Sequence, residues 1–293
     1  MEQLIIGVFE QGFIYAIMAL GVYITYKILD FPDLSVDGTF PLGAAVTALM
    51  LSNEMDPLLA LFASVAAGAL AGIVTGLIHV KCKVRDLLSG IIMMTALYTL
   101  NLRLVGGSAN VPLFNNQSVF DNDFVNGLFP EALSSYKTVI IIFVIMMIAK
   151  VLLDLYMKTK SGYLLRAVGD NPTIVTSLAK DSGFVKIVGL AISNGLVSLA
   201  GSVMCQQQRF FEISMGTGTI VIGLASVIIG TNVFKGNLLK ATTAVVIGSV
   251  LYKACVAIAI EVGLPASDLK LITAVLFLII LIISMDRKKK VKS

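Results

Sequence analysis

Long apolar runs, broken by short polar stretches, set the pattern of this chain. Nine hydrophobic segments stand out, near 4–28, 36–51, 57–80, 86–105, 136–157, 184–206, 217–231, 241–260 and 269–286. A hydrocarbon layer of roughly 30 Å takes about 20 mostly apolar residues as a helix, and most of these segments are that long. Backbone groups in lipid must bond internally, so spans are helices or closed barrels. The runs lack the two-residue alternation of barrel strands, so the expectation is an all-α, polytopic membrane protein forming one domain over 1–293.

Two segments are too short to cross comfortably. One runs from Asp37 to Leu51 and is interrupted by Pro41 and Gly43; the other runs from Gly216 to Gly230, with glycine at both ends. Their sequences, DGTFPLGAAVTALM and GTGTIVIGLASVII, are loosely alike, and alternation along the chain sets them in opposite directions. Short, Gly/Pro-interrupted segments in opposed halves point to a transport pathway and an inverted repeat. Small residues also recur at helical spacing. Ser64, Gly68, Gly72 and Gly76 line one face of the third segment, and Asn194, Ser198 and Ser202 line one face of the sixth. Such stripes let helix backbones approach closely in lipid, and packing alone accounts for both.

Composition sharpens the class. Of 293 residues 57% are apolar and 14% charged, far from the roughly one quarter charged of a soluble domain. The net charge of +4 comes mainly from Arg287 to Lys290 and Lys292, directly after an apolar run, where cytoplasmic anchoring is the common use and nucleic acid is not the expected partner. With the N-terminus outside, the inner loops collect Lys27, Lys81, Lys83, Arg85, Lys158, Lys160, Arg166, Lys180, Lys186, Lys235, Lys240 and that cluster. The outer side keeps Arg103, Lys137, Arg209 and Lys270. The positive-inside rule therefore places the C-terminus in the cytoplasm of a multi-pass protein of the bacterial cell membrane. The N-terminus lacks a basic stretch before its apolar run, so no cleaved signal is expected.

Candidate chemistry is sparse. No GxxxxGK[ST] loop, GxSxG, HExxH or paired-cysteine signature occurs, His79 is the lone histidine, and Cys82, Cys205 and Cys255 lack metal-ligand spacing and read as buried thiols. The chain is expected to hold no metal or cofactor and to catalyse nothing itself. The informative residues are polar groups in or beside spans, which face protein or water rather than lipid. Glu10, Ser35, Asp37, Tyr98, Asn101, Asn194 and Gln206 are the candidate pathway residues. Ion pairing of Glu10 or Glu261 with Lys253 is the structural alternative.

Two loops add to this. An outer loop over 106–135, with Asp121, Asp123 and Glu131, offers a landing surface for an external partner. An inner loop over 158–184 reads KTKSGYLLRAVGDNPTIVTSLAKDSGF. One short helix is expected over Tyr163–Val168 and a second from Pro172 to Lys180, with Asn171 as its N-cap and Gly183 past its end. Tyr163, Leu164, Leu165, Arg166, Asn171, Pro172, Ile174, Val175, Leu178 and Lys180 are the residues expected to dock on a partner.

Here the chain resembles the permease subunits of bacterial ABC importers in the branched-chain amino acid and ribose class. The likeness is carried by DLSVDGTFPLGAAV (Asp33 to Val46), by GYLLRAVGDNP with the apolar helix after it, and by GTGTIVIGLASVIIGTNVFKGN (Gly216 to Asn237). Asp37 departs from the pattern, standing where a glycine usually follows DLSV. The nearest branch is paired with a lipoprotein-like binding protein and linked to amino acids, including aromatic ones. The resemblance implies two permease copies, two cytoplasmic ATPase subunits holding the ATP and Mg, and an extracellular substrate-binding protein. Transport would be by alternating access, with the inner loop as the coupling element and the permease path only weakly specific. An ion-coupled secondary transporter using Glu10 or Asp37 is the competing reading.

Overall fold

The computed structural model describes residues 2–128, 136–171, 181–234, 239–261, 268, 271–275 and 277–282. Helix α1 (Glu2–Val22) continues as a π-helical stretch over Tyr23–Ile28. It is followed by α2 (Val36–Ser52), α3 (Pro57–Val80), α4 (Asp86–Leu104), β1 (Asn110–Pro112), α5 (Asp123–Leu128), α6 (Lys137–Tyr156) and α7 (Lys160–Asp170). Then come α8 (Ser182–Gln208), β2 (Phe210–Glu212), a 3₁₀ turn over Ile213–Gly216, α9 (Thr219–Val233) and α10 (Ala241–Glu261). A further apolar helix, α11, covers Leu271–Ile282. Seven of the helical stretches are long and apolar enough to cross a membrane, while α2 and α11 are shorter. The chain is thus an all-α polytopic membrane protein, the one small sheet among the described residues being the antiparallel pair β1–β2.

The centre of the bundle is α8, which packs along α3, α2 and α1. The two small-residue stripes meet each other there. A Cβ built on Gly68 would lie 2.3 Å from Ser198 Cβ, and one on Gly72 would lie 2.2 Å from the Leu190 carbonyl oxygen. The α2–α8 crossing is as tight and is reciprocal. A Cβ on Gly43 would fall 1.8 Å from the Ser198 carbonyl oxygen, and one on Gly201 would fall 1.9 Å from that of Phe40. Hydroxyls close the crossing: Thr47 bonds Ser202 at 2.5 Å and Ser64 at 3.2 Å, and Ser198 donates to the Ser64 carbonyl at 2.6 Å. Away from this core, Phe62, Leu70, Ile148 and Leu152 are exposed, the apolar outer face of a protein whose solvent there is lipid.

Both short helices begin inside the bundle. Leu34 lies against Gly90, in the second turn of α4, and Gly38 lies against Met94 and Leu97. Met94 is eight residues into α4, about 12 Å along its axis. The segment from Asp33 to Asp37 is therefore a re-entrant break and not a surface loop. From it α2 runs toward the β1–β2 end, where Asn116 Nδ2 reaches the Leu51 carbonyl at 2.7 Å. Starting beside the same point, α9 runs the other way, so that its Gly230 rests on Ala244 near the start of α10. The opposed directions expected from the sequence are present.

Several local expectations need correcting. Gly183, expected past the end of a short helix, lies in the first turn of α8, whose N-cap Asp181 accepts from Gly183 N (2.8 Å) and Phe184 N (3.2 Å). The first loop helix, α7, is longer than the expected Tyr163–Val168, and Asn171 follows its last residue in extended conformation. The helix expected over Pro172–Lys180, with Ile174, Val175 and Leu178, lies outside the described residues. Cys82 and Cys255 are exposed, and only Cys205 is a buried thiol. Lys253 pairs with no carboxylate among the described residues. It donates to Gln11 Oε1 (3.1 Å) and sits 3.9 Å over the Tyr15 ring, because its helix faces α1 at a turn that offers an amide and a π-face.

Candidate functional site

Three connected features could move together. The first is α7, which lies against the bundle through Leu165 and Val168, both buried. Gly189 of α8 leaves room for Leu165 and Leu29, each of whose Cδ1 atoms would stand within 2.7 Å of a Cβ there. Gly169 packs on the Ile28 carbonyl at the end of the π-helical stretch, where a Cβ would come within 1.7 Å. Leu165 thus anchors α7 to its own protein, while Tyr163 and Arg166 face outward. A π-helical turn is a local departure from regular helix, a feature common at functional sites.

The second feature follows directly in sequence. Asp33, 1% exposed, accepts from Ser35 N (2.9 Å), Ser35 Oγ (2.6 Å) and Asn194 Nδ2 (2.8 Å). Asn194 Oδ1 in turn accepts from Thr39 Oγ1 at 2.7 Å and lies 3.1 Å from Ser35 Oγ. Three donors around one buried carboxyl group meet the requirement that buried polar groups be bonded. Ser35 and Asn194 are both fully buried, so these two pathway candidates join the break to the middle of α8. Asp33 carries the cluster, yet in the sequence it sits unmarked two residues before Ser35.

The third feature is the meeting of α2 with α9. Asp37 Oδ1 accepts from Ile220 N (2.8 Å) and Thr219 Oγ1 (3.0 Å), and Oδ2 accepts from Gly218 N (3.0 Å). A carboxylate on the first turn of one helix therefore caps the N-terminus of another, where the helix dipole favours negative charge. Gly218 takes φ 83°, a left-handed conformation that suits glycine. Pro41 has no N–H to offer the Asp37 carbonyl, and Gly216 packs on that freed oxygen, where a Cβ would be 2.1 Å away. Beside this junction lies a cavity of about 470 Å³ lined by Asp37, Gly38, Pro41, Met94, Tyr98 and Asn101 together with Thr95, Thr99, Ile213, Ser214 and Thr217.

The remaining candidates lie elsewhere. Glu10 accepts from Gln207 Nε2 at 2.9 Å, between α1 and α8. Gln206 is buried, accepting from Val119 N (2.9 Å) and donating to the Pro57 carbonyl (3.2 Å), so it holds the loop after β1 onto the bundle. Of the seven pathway candidates the structure brings Asp37, Tyr98 and Asn101 to one cavity. It brings Ser35 and Asn194 to one buried cluster, and separates Glu10 and Gln206 from both.

The β1–β2 end is tied down by Arg209, whose Nη2 lies 2.7 Å from Asp121 Oδ2. Hydrogen bonding from the Asn126 amide and then from Arg209 holds the Asp121 carboxyl below its usual 3.8. A carboxyl with a lowered folded value contributes stability above its unfolded range and loses it as pH falls through the folded value. Arg209→Gln is therefore expected to raise the Asp121 titration midpoint toward 3.8, followed by carboxyl NMR of labelled protein in detergent. An unchanged midpoint would rule the clamp out.

Residues 4–285 match the family described as the branched-chain amino acid transport system permease component. The chain is 44% identical to a tyrosine transport system permease protein of Clostridioides difficile (strain R20291), over 94% of this chain and 89% of that protein. It is 26% identical to the ribose import permease protein RbsC of Escherichia coli (strain K12), over 79% of this chain and 70% of that one. It is also 26% identical to a probable branched-chain amino acid transport permease protein, LivH, of Methanocaldococcus jannaschii, over 73% and 70%. No solved structure gives a significant match.

Proposed function

Because the chain belongs to the branched-chain amino acid transport permease family, we propose that it is the membrane half of an ATP-driven importer of an aromatic amino acid such as tyrosine. A separate cytoplasmic chain supplies the ATPase, with its ATP and Mg, and docks on the loop over 158–184. A second permease copy completes the path, a binding protein delivers substrate from outside, and the C-terminus is cytoplasmic. The substrate class rests on the C. difficile relative, and the ATPase partner on the family.

The observation that carries the coupling role is the way α7 is held. Its outward residues Tyr163 and Arg166 are free to meet a partner, while Leu165 and Gly169 grip the segment that leads into the break. A push on α7 would reach Ile28–Leu29, then the Asp33–Ser35–Asn194 cluster, then Asp37 and the start of α9. Alternating access follows if α2 and α9 change their relation at Asp37 as the ATPase pair closes, with no covalent chemistry in this chain. The ion-coupled reading is disfavoured by the family match, which it does not account for.

The test is purification of the tagged protein from its native membranes in mild detergent. A stoichiometric partner carrying a Walker A loop is expected, and Tyr163→Asp with Arg166→Glu, or Ile174, Val175 and Leu178 each changed to Ser, is expected to release it. A chain that purifies alone and still drives uptake from an ion gradient would overturn the proposal.

A further inference from the structure

We infer that the cavity at the α2–α9 junction receives the ammonium group of the transported amino acid, between the Asp37 carboxylate and the side-chain carbonyl of Asn101. The inference deepens the aromatic amino acid reading above and rests on it. Asn101 is wholly buried in the wall of the cavity, so its side-chain carbonyl meets a ligand as α2 and α4 part there. Its Nδ2 donates to the Gly38 carbonyl at 3.1 Å, while its Oδ1 meets no donor among the described residues. Turning the amide over would set its oxygen against the Gly38 oxygen, two acceptors face to face, so the Gly38 bond fixes the assignment. A buried carbonyl without a donor is costly, and native folds keep such groups where something else supplies one.

Asp37 adds charge to the same wall. A carboxylate offers about four acceptor positions. Oδ1 takes two bonds and Oδ2 one, so Oδ2 retains a position among the described residues. The α9 N-terminus stabilises the anion, and among the described residues no lysine or arginine lines the cavity to neutralise it. One acceptor without a donor and one anion with a spare position select a compact cation with several N–H groups, which an ammonium is. The rest of the lining suits an aromatic side chain. Met94, Pro41 and Ile213 are apolar, and the Tyr98 ring is available for offset stacking. At about 470 Å³ the cavity is within the range of small-molecule sites, about 300–1,000 Å³. It also sits where two discontinuous helices start within the bundle, the position at which transporters of other folds hold substrate. On this reading the permease itself selects for the amine, in place of the weakly specific path expected from the sequence.

The experiment uses the complete permease–ATPase complex in lipid nanodiscs without the binding protein. Direct binding of L-tyrosine, L-phenylalanine, tyramine and 3-(4-hydroxyphenyl)propionate is measured by scintillation proximity or calorimetry. The three amines are expected to compete for one site per permease, and the des-amino acid to bind at least about tenfold more weakly. Asn101→Leu is expected to weaken tyrosine by about tenfold and to abolish most of that discrimination. Comparing ligands on the unaltered protein keeps the test independent of whether the variant folds. Equal binding of the des-amino acid would overturn the inference, as would loss of binding for phenylalanine alone, which would assign the Asn101 carbonyl to a phenol. Tyrosine uptake by the full system with no binding to this complex would overturn it while leaving the parent reading intact. Uptake of an unrelated solute in place of aromatic amino acids would end both.

Discussion

Gly43→Ala is expected to leave little folded protein. The added methyl would lie 1.8 Å from the Ser198 carbonyl oxygen, a backbone atom on a helix that α1, α2 and α3 all enclose. Overpacking of a tight core costs about 1–3 kcal/mol where side chains can shift, and here no rotamer change relieves the contact. The loss should stand at or above the upper end, about 3 kcal/mol, since α2 and α8 must separate. Gly201→Ala presses on the other side of the same crossing, 1.9 Å from the Phe40 carbonyl oxygen, and should match it. Gly7→Ala is the control, with nothing within 4 Å of its Cβ. Thermal unfolding of the three variants in detergent reads the difference. A Gly43→Ala protein as stable as the Gly7→Ala control would show that α2 and α8 are not so closely apposed.

These contacts show what could be read in advance. Glycine or serine every fourth residue in an apolar run has one physical use in lipid, close helix approach, and both stripes were visible for that reason. What the stripes touch was not. Spacing gives a face but not its partner, and the pairing of Gly68 and Gly72 with Ser198 and Leu190 spans more than a hundred residues. The short segments were legible through Pro41 and the flanking glycines, since each is too short for the hydrocarbon thickness. The purpose of Asp37 was hidden. An acidic residue near a helix start reads as a cap for its own helix, whereas this one caps α9, at Gly218 to Ile220. Tyr98 and Asn101 could be named as intramembrane polar residues, but their sharing of a cavity with Asp37 depends on where α4 crosses α2. Leu165 shows the opposite error of pattern. An apolar residue on an amphipathic loop helix reads as a docking contact, and here it anchors the helix inward. Periodicity finds an apolar face without saying which protein covers it.

Asn194→Leu is expected to disable transport by cutting the link between α7 and the α2–α9 junction. The Asn194 amide is the only contact described from α8 to the Asp33 carboxyl, and its carbonyl also holds Thr39 of α2. Leucine fills a similar volume but leaves Asp33 with Ser35 alone, and Thr39 with the Ser35 carbonyl. Hydrogen bonds to charged groups contribute about 1.5–3 kcal/mol, and an abandoned buried partner adds its own desolvation. A stability loss of about 3 kcal/mol follows for the single variant. Pairing it with Asp33→Leu removes the stranded carboxyl group as well, so the double variant should lose less than the two single losses added together. Stability and transport then part. A double-variant loss below that sum, with uptake still absent, is the result expected if the cluster transmits motion from α7. Recovery of uptake together with stability would reduce Asp33 and Asn194 to packing and would move the transmission elsewhere along α8.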